Sequence, residues 1–267
     1  IVLCLVGSEM CIRDRNRNTD SFNDCDLVPN ILNSVGEPDL KTEVFGTKMD
    51  MPIFLSPTAM QSLYHPDGDK ASARAAEKFG TIYSMSTMAS FSIEEIANLS
   101  SGPKIFQLYI HKDQSITDDL IDRCKRANFN GMCITVDTIV AGNRERDHRT
   151  GFTTPPKFTL DSLMSFAMRP QWVFNYFTNK KFELANLKDK VEKGTNIAQS
   201  VMGYINEQYD PAMNWKDAEY CIKKWDGPIA LKGVMSVEDA KKAIDIGCTA
   251  IMLSLIHISE PTRHKTI

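Results

Sequence analysis

Short apolar runs alternate along the chain with longer segments in which apolar residues recur every third or fourth position. Short runs that are apolar on both faces are typical of strands buried in a parallel sheet, and the longer spacing is typical of amphipathic helices. The pattern therefore predicts a repeated strand–helix unit. The predicted strands are Met51–Pro57, Thr81–Met85, Lys104–Tyr109, Met132–Asp137, Pro228–Gly233 and Thr249–Leu253.

Local signals mark where the intervening helices begin and end. A capping box formed by Ser92 and Glu95 predicts a helix start after the second strand, and Ser236 predicts another start after the fifth. The alanine-rich segment Asp69–Lys78 predicts a helix after the first strand, and Gly247 ends the last one. Helices between successive strands are what parallel pairing requires.

Strand spacing determines the fold class that we predict. The first four strands recur at short intervals, as in a parallel sheet with helical crossovers, but residues 138–227 separate the fourth from the fifth. So long a connection is usually a functional excursion. We predict an α/β fold, a (β/α)8 TIM barrel truncated to about six of its eight strands, with a long excursion after strand 4. An open, doubly wound sheet is the weaker alternative, because no glycine-rich phosphate loop follows the first strand.

Composition and charge narrow the class of protein. The chain has 267 residues, 42% hydrophobic and 24% charged, and its net charge of -3 does not indicate a nucleic-acid partner. Its seven cysteines show no metal-ligand spacing, so we predict reduced thiols and no metal site. No apolar run approaches the roughly 20 residues of a transmembrane helix. Residues 1–15 and 255–267 share no pattern with the rest, so we predict foreign tails around a native part spanning 16–254.

Hydrogen-bonding residues collect at the carboxyl ends of the predicted strands. In a TIM barrel this is the end that carries the active site. The residues at these ends are Pro57, Thr58, Ala59, Ser86, Gln107, Tyr109, Thr135, Asp137 and Lys232. Because parallel strands align these ends at one edge of the sheet, we predict a single ring of residues around a polar ligand.

Several long motifs are shared with one enzyme family. The strings LSPTAMQ, FQLYIHKD, TVDTIVAGNRERDHRTGF and LKGVMSVEDA resemble the FMN-dependent 2-hydroxy-acid dehydrogenase and oxidase family. SFNDCDLVPNIL and DPAMNWKDAEYC resemble its bacterial L-lactate dehydrogenase branch, and the resemblance spans Asn16–Ser254. It implies FMN as cofactor and oxidation of L-lactate to pyruvate, or of another 2-hydroxy acid such as glycolate. A flavin- or phosphate-binding barrel with different substrate chemistry is an alternative.

The resemblance assigns most of the strand-end residues to the flavin. Lys232 resembles the lysine near flavin N1 and O2, where a fixed ammonium stabilises the negative charge of the reduced ring. Pro57–Ala59 resembles the segment whose backbone lies along the N5 edge. The implied flavin contacts are Pro57, Thr58, Ala59, Ser86, Gln107, Thr135, Lys232 and Ser254.

Three residues resemble the family's substrate and catalytic residues. Tyr109 and Arg144 resemble the family's substrate-binding residues. Arginine suits this role because its planar guanidinium forms two hydrogen bonds to a carboxylate, which the ammonium of a lysine does not. Asp137 resembles the aspartate that orients the catalytic histidine and stabilises its imidazolium. We therefore expect Asp137 and Tyr109 to be catalytic. The implied mechanism passes the hydroxyl proton to that histidine and the C2 hydrogen to flavin N5 as hydride, with a carbanion route as the alternative.

One departure from the family pattern concerns the catalytic histidine. The family continues the sixth strand into a Ser-Asn-His-Gly-Gly-Arg motif, whereas here Ser254 precedes Leu255, Ile256 and His257. We therefore expect the chain as written to lack the base histidine and the second substrate arginine, and to be inactive. The alternative to an enzyme is a non-catalytic fragment that neither closes its barrel nor retains flavin.

The excursion after strand 4 is rich in aromatic residues beside basic ones. It contains Phe166, Trp172, Phe174, Tyr176, Phe177, Arg169, Lys180 and Lys181. This composition suits a membrane interface, and an aromatic lid packed on the barrel is the alternative. Together with the resemblance, it predicts peripheral contact with the cytoplasmic side of the inner membrane, a quinone or cytochrome as electron acceptor, and a homo-oligomer in the intact parent.

Overall fold

The computed structural model describes residues 36–138, 160–178, 183–187 and 207–253, together with residues 20, 23, 26, 28, 31 and 32. Its main sheet has five strands, and their spatial order is their order along the chain. Every neighbouring pair is parallel. The strands are β3 (Tyr83–Ser86), β4 (Lys104–Leu108), β5 (Gly131–Thr135), β6 (Ile229–Val234) and β7 (Ala250–Leu253). A doubly wound sheet reverses its strand order at a switch point, and these five strands do not.

Seven α-helices are described, and their starts follow the sequence signals. They are α1 (Gly68–Lys78), α2 (Ile93–Leu99), α3 (Gln114–Arg126), α4 (Leu160–Ala167), α5 (Pro170–Thr178), α6 (Trp215–Trp225) and α7 (Val237–Asp245). The predicted capping box is confirmed, because Ser92 and Glu95 each accept the other's backbone N–H. Ser236 likewise caps α7 by accepting from the Asp239 amide. The sequence analysis did not predict the second capping box, in which Asn214 starts α6.

The first predicted strand, Met51–Pro57, is wrong in its extent. Only one bridge joins this segment to the sheet: the Leu55 amide donates to the Ile82 carbonyl at 3.1 Å, and the Ser84 amide donates to the Leu55 carbonyl at 3.1 Å. The two prolines of the run, Pro52 and Pro57, have no N–H to donate, so they cannot extend the ladder. The chain therefore touches β3 once and then turns into a 3-10 helix at Gln61–Leu63.

An antiparallel hairpin that the sequence analysis did not predict precedes this segment. It pairs β1 (Thr42–Val44) with β2 (Thr47–Met49). Its turn places Phe45 and Gly46 at φ values of 56° and 66°, the conformation that a two-residue hairpin turn favours. Met49 packs with Ile82 and Ile105 in a small cluster, so the hairpin covers the amino ends of the first strands of the sheet.

The main core lies between the parallel strands and their helices. Every residue of β4 and β5 is buried, as expected for strands covered on both faces. Alternate side chains of these strands, such as Phe106 and Ile134, belong to the core cluster with Leu120 of α3 and Ile222 of α6. The intervening positions point to the other face of the sheet, where the site residues lie.

Candidate active site

A ladder of polar side chains joins the carboxyl ends of three successive strands. Ser86 Oγ at the end of β3 donates to Gln107 Oε1 on β4 at 3.1 Å. Gln107 Nε2 in turn donates to Thr135 Oγ1 at the end of β5 at 2.8 Å. All three residues are almost fully buried. We call this set, Ser86–Gln107–Thr135, the polar ladder; it brings together three residues that the sequence predicted for one ring.

A charged pair continues the polar ladder onto the next strand. Lys232 of β6 lies in register with Thr135. Its Nζ is 3.7 Å from Asp137 Oδ2, and the two side chains are only 29% and 24% exposed. Thr138 Oγ1 donates to the other carboxylate oxygen, Asp137 Oδ1, at 3.1 Å. A cation and an anion therefore stand side by side where the neutral ladder ends.

The segment Pro57–Ala59 lies beside the loop that follows β3. Its carboxyl side is held there because the Met60 amide donates to the Met88 carbonyl at 3.0 Å. Within the segment, the Thr58 carbonyl accepts from Gln61 Nε2 at 3.3 Å. Met60 itself has φ 54°, so the chain turns sharply at this point. The half-buried backbone of the segment thus lies next to the strand end that carries Ser86.

A buried carboxylate that the sequence analysis did not single out supports this loop. Asp69 of α1 accepts from Tyr83 Oη at 2.9 Å and from the Ser90 amide at 2.9 Å. Burial raises the pKa of Asp69, and burial also raises the pKa of Tyr83 well above its ordinary value. An aspartate in the first turn of a helix is common for electrostatic reasons, so its position alone did not reveal this network.

Tyr109 lies beyond the end of β4 beside a small pocket. Its ring lies 5.2 Å from the ring of Tyr209, measured between centroids. The backbone of Tyr209 forms an antiparallel bridge with His111, which brings the end of the excursion back to β4. The pocket is lined by Tyr109, Ile110, Thr135, Thr138, Tyr209, Asp210 and Met213. Tyr209, Asp210 and Met213 were missed as site residues, although two of them lie in the motif DPAMNWKDAEYC.

His111 is a packing residue rather than a proton carrier. It is 3% exposed, and burial lowers its pKa from 6.5 to about 4. Its backbone amide donates to Thr117 Oγ1 at 3.0 Å, which ties the end of β4 to α3. The side chain is therefore neutral at physiological pH.

Several predicted residues lie outside the described part of the chain. Arg144 and Ser254 are among them. Within the described residues, no group of three or more His, Cys, Asp or Glu side chains is arranged to hold a metal ion. The cysteines of this part, Cys124, Cys133, Cys221 and Cys248, are free and buried, and burial raises the pKa of Cys133 to about 12.

Helices α4 and α5 expose an aromatic face. Phe166 stacks on Trp172 at 5.4 Å between ring centroids, and Trp172 stacks on Tyr176 at 5.2 Å. Trp172 Nε1 donates to the Leu63 carbonyl at 3.0 Å, which attaches α5 to the 3-10 helix. Phe177 is 79% exposed, and none of the described side chains of α5 is buried. Among the described helices, none is long and apolar enough to cross a bilayer.

The parallel βα repeat, with polar and charged side chains at the carboxyl edge of its sheet, places the protein in the class of α/β enzymes whose active sites lie at that edge. Comparison with known families agrees with this class. The profile of the FMN-dependent dehydrogenase family matches residues 7–255, and the chain belongs to this family. Family membership confirms FMN as the expected cofactor.

Individual relatives carry the names of different 2-hydroxy-acid enzymes. The L-lactate dehydrogenase of Vibrio parahaemolyticus is 33% identical over 243 residues, covering 91% of this chain and 64% of the relative. The glycolate oxidase of Spinacia oleracea is 36% identical over 237 residues, covering 89% of this chain and 58% of the relative. The chain thus spans about three-fifths of the length of these relatives.

One solved structure is similar over most of the chain. It is that of a monotopic membrane protein, (S)-mandelate dehydrogenase, with a TM-score of 0.83 and 28% identity, covering 90% of this chain and 63% of that one. Together with the family, this similarity indicates a TIM-barrel fold, to which the five-stranded parallel sheet belongs.

The described residues fit the ring of FMN. The isoalloxazine carries carbonyl oxygens and ring nitrogens along one edge, and these need hydrogen-bond donors. The Gln107 amide has two N–H groups, of which Thr135 accepts one. The Lys232 ammonium has three N–H groups, and its Nζ atom lies 3.7 Å from Asp137 Oδ2. Donors and a fixed positive charge are therefore available at the edge of the sheet where the family's cofactor binds.

Proposed function

We propose that the protein is an FMN-dependent oxidoreductase that oxidises an L-2-hydroxy acid to the 2-oxo acid, with L-lactate as the preferred substrate. The observation that carries the proposal is the polar ladder together with Lys232, which lies in register with the last residue of the ladder. It combines neutral hydrogen-bonding groups with one cation in a row along consecutive strands. Such a row matches the polar edge of a flavin rather than a phosphate or a metal ion.

The residues of this chain would have separate tasks around the cofactor. When bound, FMN would supply the two-electron oxidant for the hydroxy acid. Ser86, Gln107 and Thr135 orient the ring, and Lys232 offsets the negative charge that the ring gains. The backbone of Pro57–Ala59 limits the space beside it.

Substrate binding and proton transfer would fall to Tyr109, Arg144 and Asp137. Tyr109 lines the pocket and would contact the substrate, whose carboxylate Arg144 would bind as a planar fork. Asp137 would orient a histidine that accepts the hydroxyl proton. The family places this histidine two residues after the serine that matches Ser254, where this sequence has Ile256. We therefore expect the chain as written to bind FMN but to be inactive towards the substrate.

The flavin proposal is tested by the visible absorbance of the purified chain after FMN has been added and the excess removed. A retained flavin band that differs from that of free FMN supports the proposal. Absence of retained flavin contradicts it.

Because Gln107 lies in the ladder and Gln114 lies exposed at the start of α3, the variants Gln107→Glu and Gln114→Glu form a matched pair. Only the first is expected to release flavin.

The substrate is tested by anaerobic bleaching of the bound flavin. In a chain completed with the family histidine motif, we expect L-lactate to bleach it faster than glycolate or (S)-mandelate, because motifs along the chain resemble the lactate branch. Relatives named for lactate and glycolate match at similar identity, so both acids belong in the assay. Faster bleaching by glycolate would move the assignment to the oxidase branch. In a chain completed with the family histidine motif, Arg144→Ala is expected to abolish L-lactate turnover.

We further propose that the aromatic face of α4 and α5 contacts a membrane from the cytoplasmic side, where a quinone or cytochrome accepts the electrons. The exposed Phe174 and Phe177 support this proposal, since exposed aromatic residues are typical of interfacial helices. Sedimentation with vesicles of phosphatidylethanolamine and phosphatidylglycerol tests it. Binding should fall in Phe174→Ser/Phe177→Ser and persist in Phe79→Ser, a change at an exposed phenylalanine after α1.

We also propose that the parallel sheet belongs to a (β/α)8 barrel of which this chain holds about six strands, and that the intact parent assembles into homo-oligomers. Support comes from strand order equal to chain order and from the family's fold. Light scattering during size-exclusion chromatography tests the assembly. A monomer at all concentrations would contradict it.

A further inference from the structure

Gly233 interrupts the regular pairing at the carboxyl end of β6. Lys232 pairs with Met252 of β7 and Val234 pairs with Leu253, so the register skips Gly233 as a β-bulge. The residue has φ +103°, a conformation that L side chains rarely adopt. Bulges near active sites commonly redirect a neighbouring side chain.

The space where Gly233 would carry a side chain is occupied by Asp137. A Cβ atom added to Gly233 would lie 2.5 Å from Asp137 Cβ, 2.6 Å from its Cγ and 2.8 Å from its Oδ2. Real Cβ atoms essentially never approach other atoms so closely. The aspartate side chain therefore lies directly over the backbone of β6, and its Oδ2 atom is 3.7 Å from Lys232 Nζ.

We propose that Gly233 is a positioning residue for the charged pair of the site. Its bulge and its missing side chain together let Asp137 lie over β6 beside Lys232. A side chain at this position would push Asp137 away from β6, and the cation at the flavin edge would lose its carboxylate. The inference rests on the proposed function, because the pair matters for chemistry only where a flavin and a substrate bind.

A second glycine provides a matched control for backbone strain. Gly247, which follows α7, has φ +99°, almost the same value as Gly233. A Cβ atom added there would meet only Ile222 Cγ2, at an ordinary 3.5 Å. Both positions have a φ at which alanine is strained, but only alanine at Gly233 collides with Asp137.

The test uses four variants of the full chain: Gly233→Ala, Gly247→Ala, Asp137→Gly and the double variant Asp137→Gly/Gly233→Ala. FMN affinity is measured by quenching of flavin fluorescence, and the visible spectrum of the bound flavin is recorded. We expect Gly233→Ala to weaken FMN binding about tenfold and to shift the flavin spectrum, because the overpacked pair moves. Gly247→Ala is expected to stay within about twofold, with an unchanged spectrum.

The double variant decides whether the collision with Asp137 is the cause. Once Asp137→Gly has removed the whole side chain, including the Cβ atom 2.5 Å away, adding Gly233→Ala should cost no more FMN affinity than Gly247→Ala does. Equal effects of the two glycine variants on the wild-type background would overturn the proposal. So would a Gly233→Ala effect that is just as large without Asp137.

The same four variants are unfolded in urea without FMN, which separates this inference from the proposed function. We expect the shift of the midpoint caused by Gly233→Ala to shrink to that of Gly247→Ala when Asp137 is absent. If the wild-type chain retains no FMN, the proposed function fails while the urea series still decides whether Asp137 depends on Gly233. Additive midpoint shifts would reject the inference even if FMN binds.

Discussion

The two ends of the parallel sheet satisfy their buried polar groups in different ways. At the amino end, Lys104 Nζ donates to the main-chain carbonyls of Ser100 and Gly102, each at 2.6 Å. At the carboxyl end, the polar ladder satisfies side chains with other side chains, from Ser86 through Gln107 to Thr135. The first arrangement caps the backbone, whereas the second leaves groups that can exchange partners with a ligand.

The difference shows why the same types of residue have structural roles at one end and functional roles at the other. Buried polar groups need partners, and main-chain carbonyls are partners that cannot leave. Side chains can rotate, so a ladder of side chains accommodates a bound ring without breaking a strand. The polar ladder is therefore expected to govern flavin binding, and the amino-end contacts are expected to govern stability.

The largest expected effect is on stability, although it arises at the carboxyl end of the sheet. It comes from His111, which is buried there as a packing residue. The pKa of His111 falls from 6.5 to about 4 on folding, so the unfolded chain binds a proton across this pH range that the folded chain does not. The free energy of unfolding is therefore higher above pH 6.5 and falls by about 3 kcal/mol as the pH drops towards 4. Urea unfolding at several pH values measures this slope.

The variant His111→Gln should flatten the pH slope between these values, and His65→Gln, at an exposed histidine, should not. An unchanged slope in His111→Gln would show that other groups cause the acid sensitivity.

The second effect belongs to the amino end of the sheet. Lys104→Met removes two charge-assisted hydrogen bonds and leaves the carbonyls of Ser100, which is buried, and Gly102, which is part-buried, without this donor, so the free energy of unfolding should fall by about 2 kcal/mol. FMN affinity should stay within about twofold, because the change lies at the opposite end of the strand. Lys112→Met, at an exposed lysine after β4, is the control and should change neither. Loss of flavin in Lys104→Met without loss of stability would contradict the division between the two ends.

The third effect should appear in ligand binding more than in stability. Gln107→Glu keeps an acceptor for Ser86, and the Thr135 hydroxyl can turn to donate to the new carboxylate. The variant nevertheless loses the remaining N–H group that would face the ring, so we expect about tenfold weaker FMN binding, or about 1.4 kcal/mol. Fluorescence titration against Gln114→Glu measures this loss. A larger loss of unfolding free energy than in Lys104→Met would place Gln107 among the structural contacts.

The smallest effect lies outside both ends of the sheet. Arg123 donates to both Glu94 carboxylate oxygens at 2.7 Å and to the Asn186 carbonyl at 3.2 Å, and the bond from Arg123 lowers the pKa of Glu94 to about 2. Arg123→Lys cannot form the two-pronged contact and should lower the free energy of unfolding by about 1 kcal/mol, without changing FMN affinity. Thermal unfolding measures it, with Arg126→Lys, at an exposed position, as the control. Equal stability of the two variants would show that the contact contributes nothing.

Much of the sheet and of its carboxyl edge was predictable because those features depend on local order. Strands β4 and β6 lie where buried apolar runs predicted them, and Ser92 and Ser236 cap the helices that they were expected to start. The alignment of parallel strands then brings Gln107 and Thr135 together without further information. The first predicted strand failed, since apolar periodicity does not report how many backbone N–H groups a segment can offer.

Strand periodicity decides the direction of each side chain, so the pattern of residues alone predicts which of them reach the carboxyl edge of the sheet and that Gln107 and Thr135 meet there. The other contacts of the site are set by folding over long distances in the chain. Asp137 lies over Gly233, and Tyr109 lies against Tyr209, because the chain returns from a long excursion before β6. Contacts between residues so far apart in sequence depend on bulges, turns and loop closure, and no local pattern of residues encodes these.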